Sequence, residues 1–284
     1  MPAGAPALVL AIPTAATAEA AAVVSEILSV VRGEQPGIEV AVGSLATPLT
    51  THSWNEDADP AGSATRTSGD FAAQPLPGVA QLVAEALAAG RPAPVLVPLL
   101  AGPHDCLTEL HKLAAEAGAT VTDVLGPHPL LAEAVHVRLS EAGLARADRA
   151  RLFAIATAAD GVVLTTMGGE EAAAAAEVTG VLLAARLAVP VVAAALDVPG
   201  SVAAAVAHLR ATGSQRPALA PLVIGPEADP ELLRTASEET GCPTAEPIGA
   251  YPSIGQLVAT AYLSAVGASV PAEVAPEESA EQAD

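Results

Sequence analysis

Cations are scarce in this chain. Twelve Lys and Arg stand against 32 Asp and Glu, for a formal net charge of −20 at pH 7, and Lys112 is the only lysine. Nucleic-acid binding needs clustered cations to displace counterions, so no nucleic-acid partner is expected, nor an acidic membrane surface. Aromatics make up 2% of the residues, so Ala, Val and Leu must build any core. They suffice, because 51% of the chain is hydrophobic. The two cysteines, Cys106 and Cys242, are far apart and lack metal-site spacing. That excludes a disulfide framework and predicts a reduced, cytoplasmic protein. The opening "MPAGAPALVLAIPTAATAEA" has no basic segment before Arg32 and is interrupted by Pro13. It reads as a first strand and not as a leader. No run approaches the roughly 20 apolar residues of a membrane helix. At 284 residues the chain can form one large domain or two ordinary ones.

What is present is an alternation of short apolar runs with Ala-rich amphipathic stretches. Strands are expected at Ala7 to Ile12, Ile38 to Leu45, Pro94 to Leu100 and Ala119 to Leu125. Helices are expected at Ala15 to Arg32, Gly78 to Gly90, Asp105 to Ala117 and Pro127 to Gly143. The pattern then restarts. Gly161 to Thr166, Val189 to Leu196 and Pro217 to Ile224 read as strands. An Ala-rich stretch to Leu187, Val202 to Thr212, Pro230 to Thr240 and Tyr251 to Val266 read as helices. Continuous apolar strands between helices imply parallel sheets covered on both faces.

The second half repeats the first. "LVPLLAGPHDCLTELHKLAAEAG" aligns without gaps on "LAPLVIGPEADPELLRTASEETG", matching Pro98 with Pro221, Gly102 with Gly225 and Gly118 with Gly241. "LGPHP" aligns on "IGAYP", and "ALVLAIPTAATAEAAA" on "GVVLTTMGGEEAAAAA". The expected fold is therefore a tandem duplication of a four-stranded parallel-sheet α/β/α unit, in two pseudo-symmetric domains at 1–145 and 152–267. A linker near Ala145 to Arg151 joins them. An unrepeated, Pro/Gly/Ser-rich insertion at 50–78 holds Trp54, the only tryptophan, and reads either as a tolerated loop or as a lid. An acidic tail at 268–284 is expected to be disordered.

Ligands of parallel α/β sheets bind beyond the carboxyl ends of strands. His104 and His128 stand at such ends, and His52 lies in the insertion on the same rim. No G-x-G-x-x-G, G-x-x-x-x-G-K-[ST] or G-x-S-x-G is present. "TMGGEE" has the glycines of half a phosphate turn, but Glu170 and Glu171 would repel an anion. His128, between two prolines, reads as a turn and capping residue. His111 and His136 read as surface residues of helices. For His104, ligand and loop residue are both open.

The duplicated unit, the "VPLL…GPH" strand end and "LGPHPLLAEAV" resemble the sirohydrochlorin cobaltochelatase and ferrochelatase family over about Ala7 to Gly267. The resemblance implies a lyase of cobalamin or siroheme biosynthesis that inserts Co²⁺ or Fe²⁺ into a carboxylate-rich tetrapyrrole, with those metals as substrate and no resident cofactor. It implies two histidines facing one cleft. His104 in Gly102-Pro103-His104 matches one, as metal ligand or base. The resemblance places Pro13, Thr14, Gly102 and His128 as substrate contacts. Imidazole suits Co²⁺ and Fe²⁺ and can accept the pyrrole protons. The other histidine's position holds Ile12, with Pro13 where glycine is expected, and the second repeat offers Thr166 and Glu227 at the corresponding places. A polycarboxylate also needs cations, and only Arg66, in the insertion, is placed to reach the rim. Arg138, Arg146, Arg149 and Arg151 cluster near the linker. Two readings follow: a divergent chelatase, or a chelatase-like protein that binds tetrapyrrole, metal or a protein partner without turnover.

Overall fold

The computed structural model describes residues 5–14, 18–46, 76–145, 158–225 and 227–269. The expectations for the insertion up to residue 75, including His52, Trp54 and Arg66, lie outside these residues. So do those for Arg146, Arg149 and Arg151 and for almost all of the acidic tail.

The first unit runs β1 (Leu8–Ile12), α1 (Ala18–Glu34), β2 (Val40–Ser44), α2 (Val79–Ala88), β3 (Val95–Pro98), α3 (Cys106–Ala117), β4 (Thr120–Val121) and α4 (Pro129–Glu141). The second runs β5 (Gly161–Thr166), α5 (Gly169–Leu187), β6 (Val191–Ala195), α6 (Ser201–Ala211), β7 (Pro217–Pro221), α7 (Pro230–Thr240) and α8 (Pro252–Ser269). Both sheets are parallel, ordered β2-β1-β3-β4 and β6-β5-β7. Two parallel sheets flanked by helices are as the sequence predicts, except that the fourth strands are truncated. β4 is two residues long, and its counterpart is a single bridge from Leu219 to Thr244.

Two prolines of the repeat explain the truncation. Thr122 donates its N–H to the Leu96 carbonyl, and Ala245 donates to that of Leu219. The next ladder bond would come from Pro98 or Pro221, which have no N–H to give. In the second unit Pro243 stands where Thr120 stands in the first, and it shortens the pairing further.

Alternation along the strands sorts the core. Leu8, Leu10 and Ile12 point into one cluster, while Val9 and Ala11 point into another against α2 and α3. In the second sheet Val162 and Leu164 join the same cluster as Leu8, and Val163 faces α6 and α7. One apolar core therefore spans both sheets. It is closed by an exchange of terminal helices. α4 leaves the first unit to pack on α5 and β7, and α8 leaves the second to pack on α1 and β3. Tyr262 of α8 is fully buried, and its hydroxyl donates to the Pro6 carbonyl at 2.6 Å, just ahead of β1.

α8 approaches α1 closely because residue 255 is glycine. A Cβ there would lie 2.6 Å from Val30. Gly255→Leu is expected to destabilise the protein by roughly 1–3 kcal/mol through overpacking, read as a lower urea midpoint.

Candidate functional site

The β3 end leads through Leu99–Ala101 into Gly102-Pro103-His104 and then α3. His104 is half-buried, and its Nδ1 accepts the Cys106 backbone N–H at 3.2 Å. That bond caps the helix and fixes the tautomer: with Nδ1 accepting, the neutral ring carries its proton on Nε2. His128 does the same for α4, taking the Leu130 N–H on Nδ1 at 3.1 Å, with Pro129 following it.

After β7, Glu227 stands where the sequence alignment has His104. The Glu227 carboxylate folds back on its own turn and accepts the N–H groups of Ile224 and, at 3.0 Å, Gly225. It is 6% exposed. Burial pushes its carboxyl up to about 7, against the pull of those amides. Its field reaches the first unit. The Cys106 thiol is pushed up to about 11, chiefly by burial, with the carboxylates of Asp105 and Glu227 adding to the effect. A thiol so placed is not a nucleophile at neutral pH.

These two turns border one cleft between the sheets. Gly102, Gly126 and Pro127 line it from the first unit, and Thr166, Met167, Thr179 and Glu227 from the second. Its empty volume is about 400 Å³, but it is narrow: the centre of a water molecule can move through only about 20 Å³, about enough for one water. Backbone meets backbone at its wall. A Cβ on Gly168 would lie 2.2 Å from the Pro103 carbonyl oxygen, and one on Gly126 equally close to that of Ala101. Gly168 has φ 111, which also requires glycine. The Gly168 and Gly169 N–H groups are held by the Asp197 carboxylate at 2.9 to 3.1 Å. The turn that resembled half a phosphate site is thus filled by the chain's own anion.

Of the residues singled out in the sequence, Gly102 lines the cleft, and His104 follows it by two residues. His128 lies directly after Pro127 but does not line it. Pro13 and Thr14 do not line it either; the Thr14 carbonyl accepts the Ser44 hydroxyl at 2.7 Å. Ile12 is fully buried in the shared core. His136 corrects the sequence reading. It is buried, 6% exposed, because α4 packs on α5, and its Nδ1 faces Arg186 Nε at 3.4 Å. Glu227 is the residue that sequence reasoning passed over. Its signal was there, a carboxylate aligned on His104 at the end of an apolar run. Among the described residues no three His, Cys, Asp or Glu gather to hold a metal ion. A wider groove, with room for water centres of about 490 Å³, opens between α7 and Thr244–Pro247. Among the described residues lining it, the one cation, Arg234, is paired with Glu231 and Glu238.

Two parallel α/β units whose strand ends converge on a shared cleft define a chelatase-like fold. SirB from Bacillus subtilis, in a structure with Fe³⁺, matches with a TM-score of 0.60 at 13% identity, covering 92% of this chain and 96% of that one. CbiX, described as the terminal enzyme for biosynthesis of siroheme in denitrifying bacteria, matches with a TM-score of 0.57 at 16% identity, covering 94% and 100%. No protein-family model and no curated protein matches the sequence.

The raised proton affinity of Glu227 has a thermodynamic sign. The folded state holds this proton more tightly than the unfolded chain, so the group's stabilising contribution is complete below about pH 4.5 and is lost as pH rises through about 7. Between those limits the stability difference between Glu227→Gln and the wild type is expected to move in the variant's favour by up to about 3 kcal/mol. Urea midpoints of both proteins across pH 4.5–8 check this.

Proposed function

We propose that the chain is a tetrapyrrole chelatase homologue of the sirohydrochlorin type, which brings Co²⁺ or Fe²⁺ to a macrocycle held at the mouth of the inter-sheet cleft. The carrying observation is that two strand ends border the same cleft, with Gly102, two residues before His104, on one side and Glu227 on the other. A divalent metal entering a free-base macrocycle displaces two N–H protons, so the site needs proton acceptors more than a metal cage. Glu227, poised near neutrality by burial, can take one proton at its carboxylate. His104 can take another at Nδ1 once it releases the Cys106 N–H, a loss of about 1 kcal/mol. With its cap intact, His104 offers a donor at Nε2 and not a lone pair, so ligation through Nε2 requires the same release. The macrocycle's nitrogens would supply most of the metal's ligands.

A second reading, a chelatase-like protein that binds tetrapyrrole or metal without turnover, is favoured by Ile12. It is built into the core where the resembling family places an imidazole.

Metallation of sirohydrochlorin and of a free-base porphyrin by Co²⁺, followed by visible absorption, tests the proposal. Acceleration over the protein-free control is expected, rising with pH through about 7. His104→Ala should slow it by at least about tenfold, and Glu227→Gln should remove the pH-dependent rise. Binding at the uncatalysed rate supports the second reading, and absence of any spectral change sinks both.

A further inference from the structure

The groove between α7 and Thr244–Pro247 has no part in the cleft chemistry. In the first unit Leu107, Leu113 and Val121 pack onto the apolar cluster that holds Val9 and Leu110. The positions aligned with them carry Pro230, Ala236 and Thr244, each smaller or more polar. Pro230 and Thr244 line the groove, whose volume of about 490 Å³ is that of a small-molecule site. Its walls have two chemistries. Ala228, Leu233 and Pro247 supply apolar surface, and Glu238 and Glu246 supply carboxylates. Arg234 is shared between Glu231 and Glu238, so its charge is more than offset. Glu246 is exposed and has no ion pair among the described residues. The Thr244 hydroxyl is buried and has no hydrogen-bond partner among them. Ala245 faces the shared core, so the Thr244 side chain points the other way, toward α7. A rotation about its χ1 between staggered wells exchanges methyl for hydroxyl and presents an acceptor to the groove.

We propose that this groove binds a small organic cation, an ammonium head on an apolar body, with the head at Glu246 and the body against Leu233 and Ala228. The site goes beyond the tetrapyrrole reading and does not rest on it. An ammonium finds an unpaired carboxylate and an acceptor hydroxyl, and its body covers apolar wall. An anion of the same shape meets the carboxylates instead. The net charge of −20 raises the local concentration of cations further. Groove and cleft lie back to back, since Gly225 and Ala228 line the one and Glu227 the other. An occupant therefore rests against the turn that holds Glu227.

Hexylamine, hexanol and hexanoate share one body and differ in the head, and together they test the proposal. Each is titrated into the full chain at neutral pH and read by the methyl NMR shifts of Leu233 and Ala228. The exposed Leu87 of α2 serves as reference for non-specific association. The amine is expected to bind about fivefold more tightly than the alcohol, with the acid weakest, and salt should weaken the amine alone. Glu246→Gln is expected to bring the amine to the level of the alcohol. Thr244→Val installs the side chain that aligned position 121 carries. It should weaken the amine about threefold without lowering the urea midpoint, because an unpartnered hydroxyl contributes nothing to the fold. A Glu246→Gln protein that binds the amine as the wild type does overturns the inference. So does hexanoate binding as tightly as hexylamine, a shift at Leu87 as large as at Leu233, or no saturating shift at all. A Thr244→Val protein with full affinity and a lower urea midpoint overturns the part given to the hydroxyl.

Discussion

α8 closes the core of the unit it does not belong to, and α4 does the same in the opposite direction. Each sheet has an apolar face that its own helices do not fully cover. On the first sheet that face is Leu8, Leu10, Ile12, Val95 and Val97; on the second it includes Val162, Leu164 and Ala220. The exchanged helices cover both at once, in one cluster that takes in Tyr262 and Leu139. Without α8 the first sheet would present that face to water, at about 25 cal/mol for each Å² exposed. The units are thereby held face to face, and the cleft between their strand ends follows from this packing.

The two strand ends then give the cleft its chemistry. β3 leads to α3 and β7 to α7, and the ends of both strands border one space. A sequence that repeats its scaffold need not repeat its functional side chain, and here one copy carries an imidazole and the other a buried carboxyl. Both are tied to backbone amides, but with opposite consequences. The His104 ring accepts the Cys106 N–H at Nδ1, whereas burial around Glu227 outweighs its two amide bonds and pushes its carboxyl up to about 7.

Much of the fold was legible because the signals were local. Apolar runs ended at Gly-Pro, helices ended at glycines such as Gly118 and Gly241 in the left-handed conformation, and the gapless alignment fixed which strands correspond. His128 as a helix cap was legible from its flanking prolines. The misses were non-local. Helical periodicity says which face of α4 is apolar, but not that α5 covers it, so His136 reads as surface until the exchange is seen. Pro98 and Pro221 were visible as matched residues, yet their role in ending the fourth strands depends on which N–H the ladder needs next. Glu227 was visible as a broken match to His104, and only its burial makes it a site residue.

The shared core also bears on how a ligand reaches the site. Two α/β units joined by a linker alone could part like jaws, as small polar interfaces allow. Here parting them would pull α4 off β7 and α8 off β3, exposing a continuous core, and would separate the Tyr262 hydroxyl from Pro6. The cleft wall where Gly168 meets the Pro103 carbonyl is part of the same block. A flat macrocycle is too large for a space that holds about one water, and hinge opening is costly, so the tetrapyrrole reading proposed above requires that its ligand be met at the mouth. That shifts the burden of recognition from enclosure to the few groups at the rim.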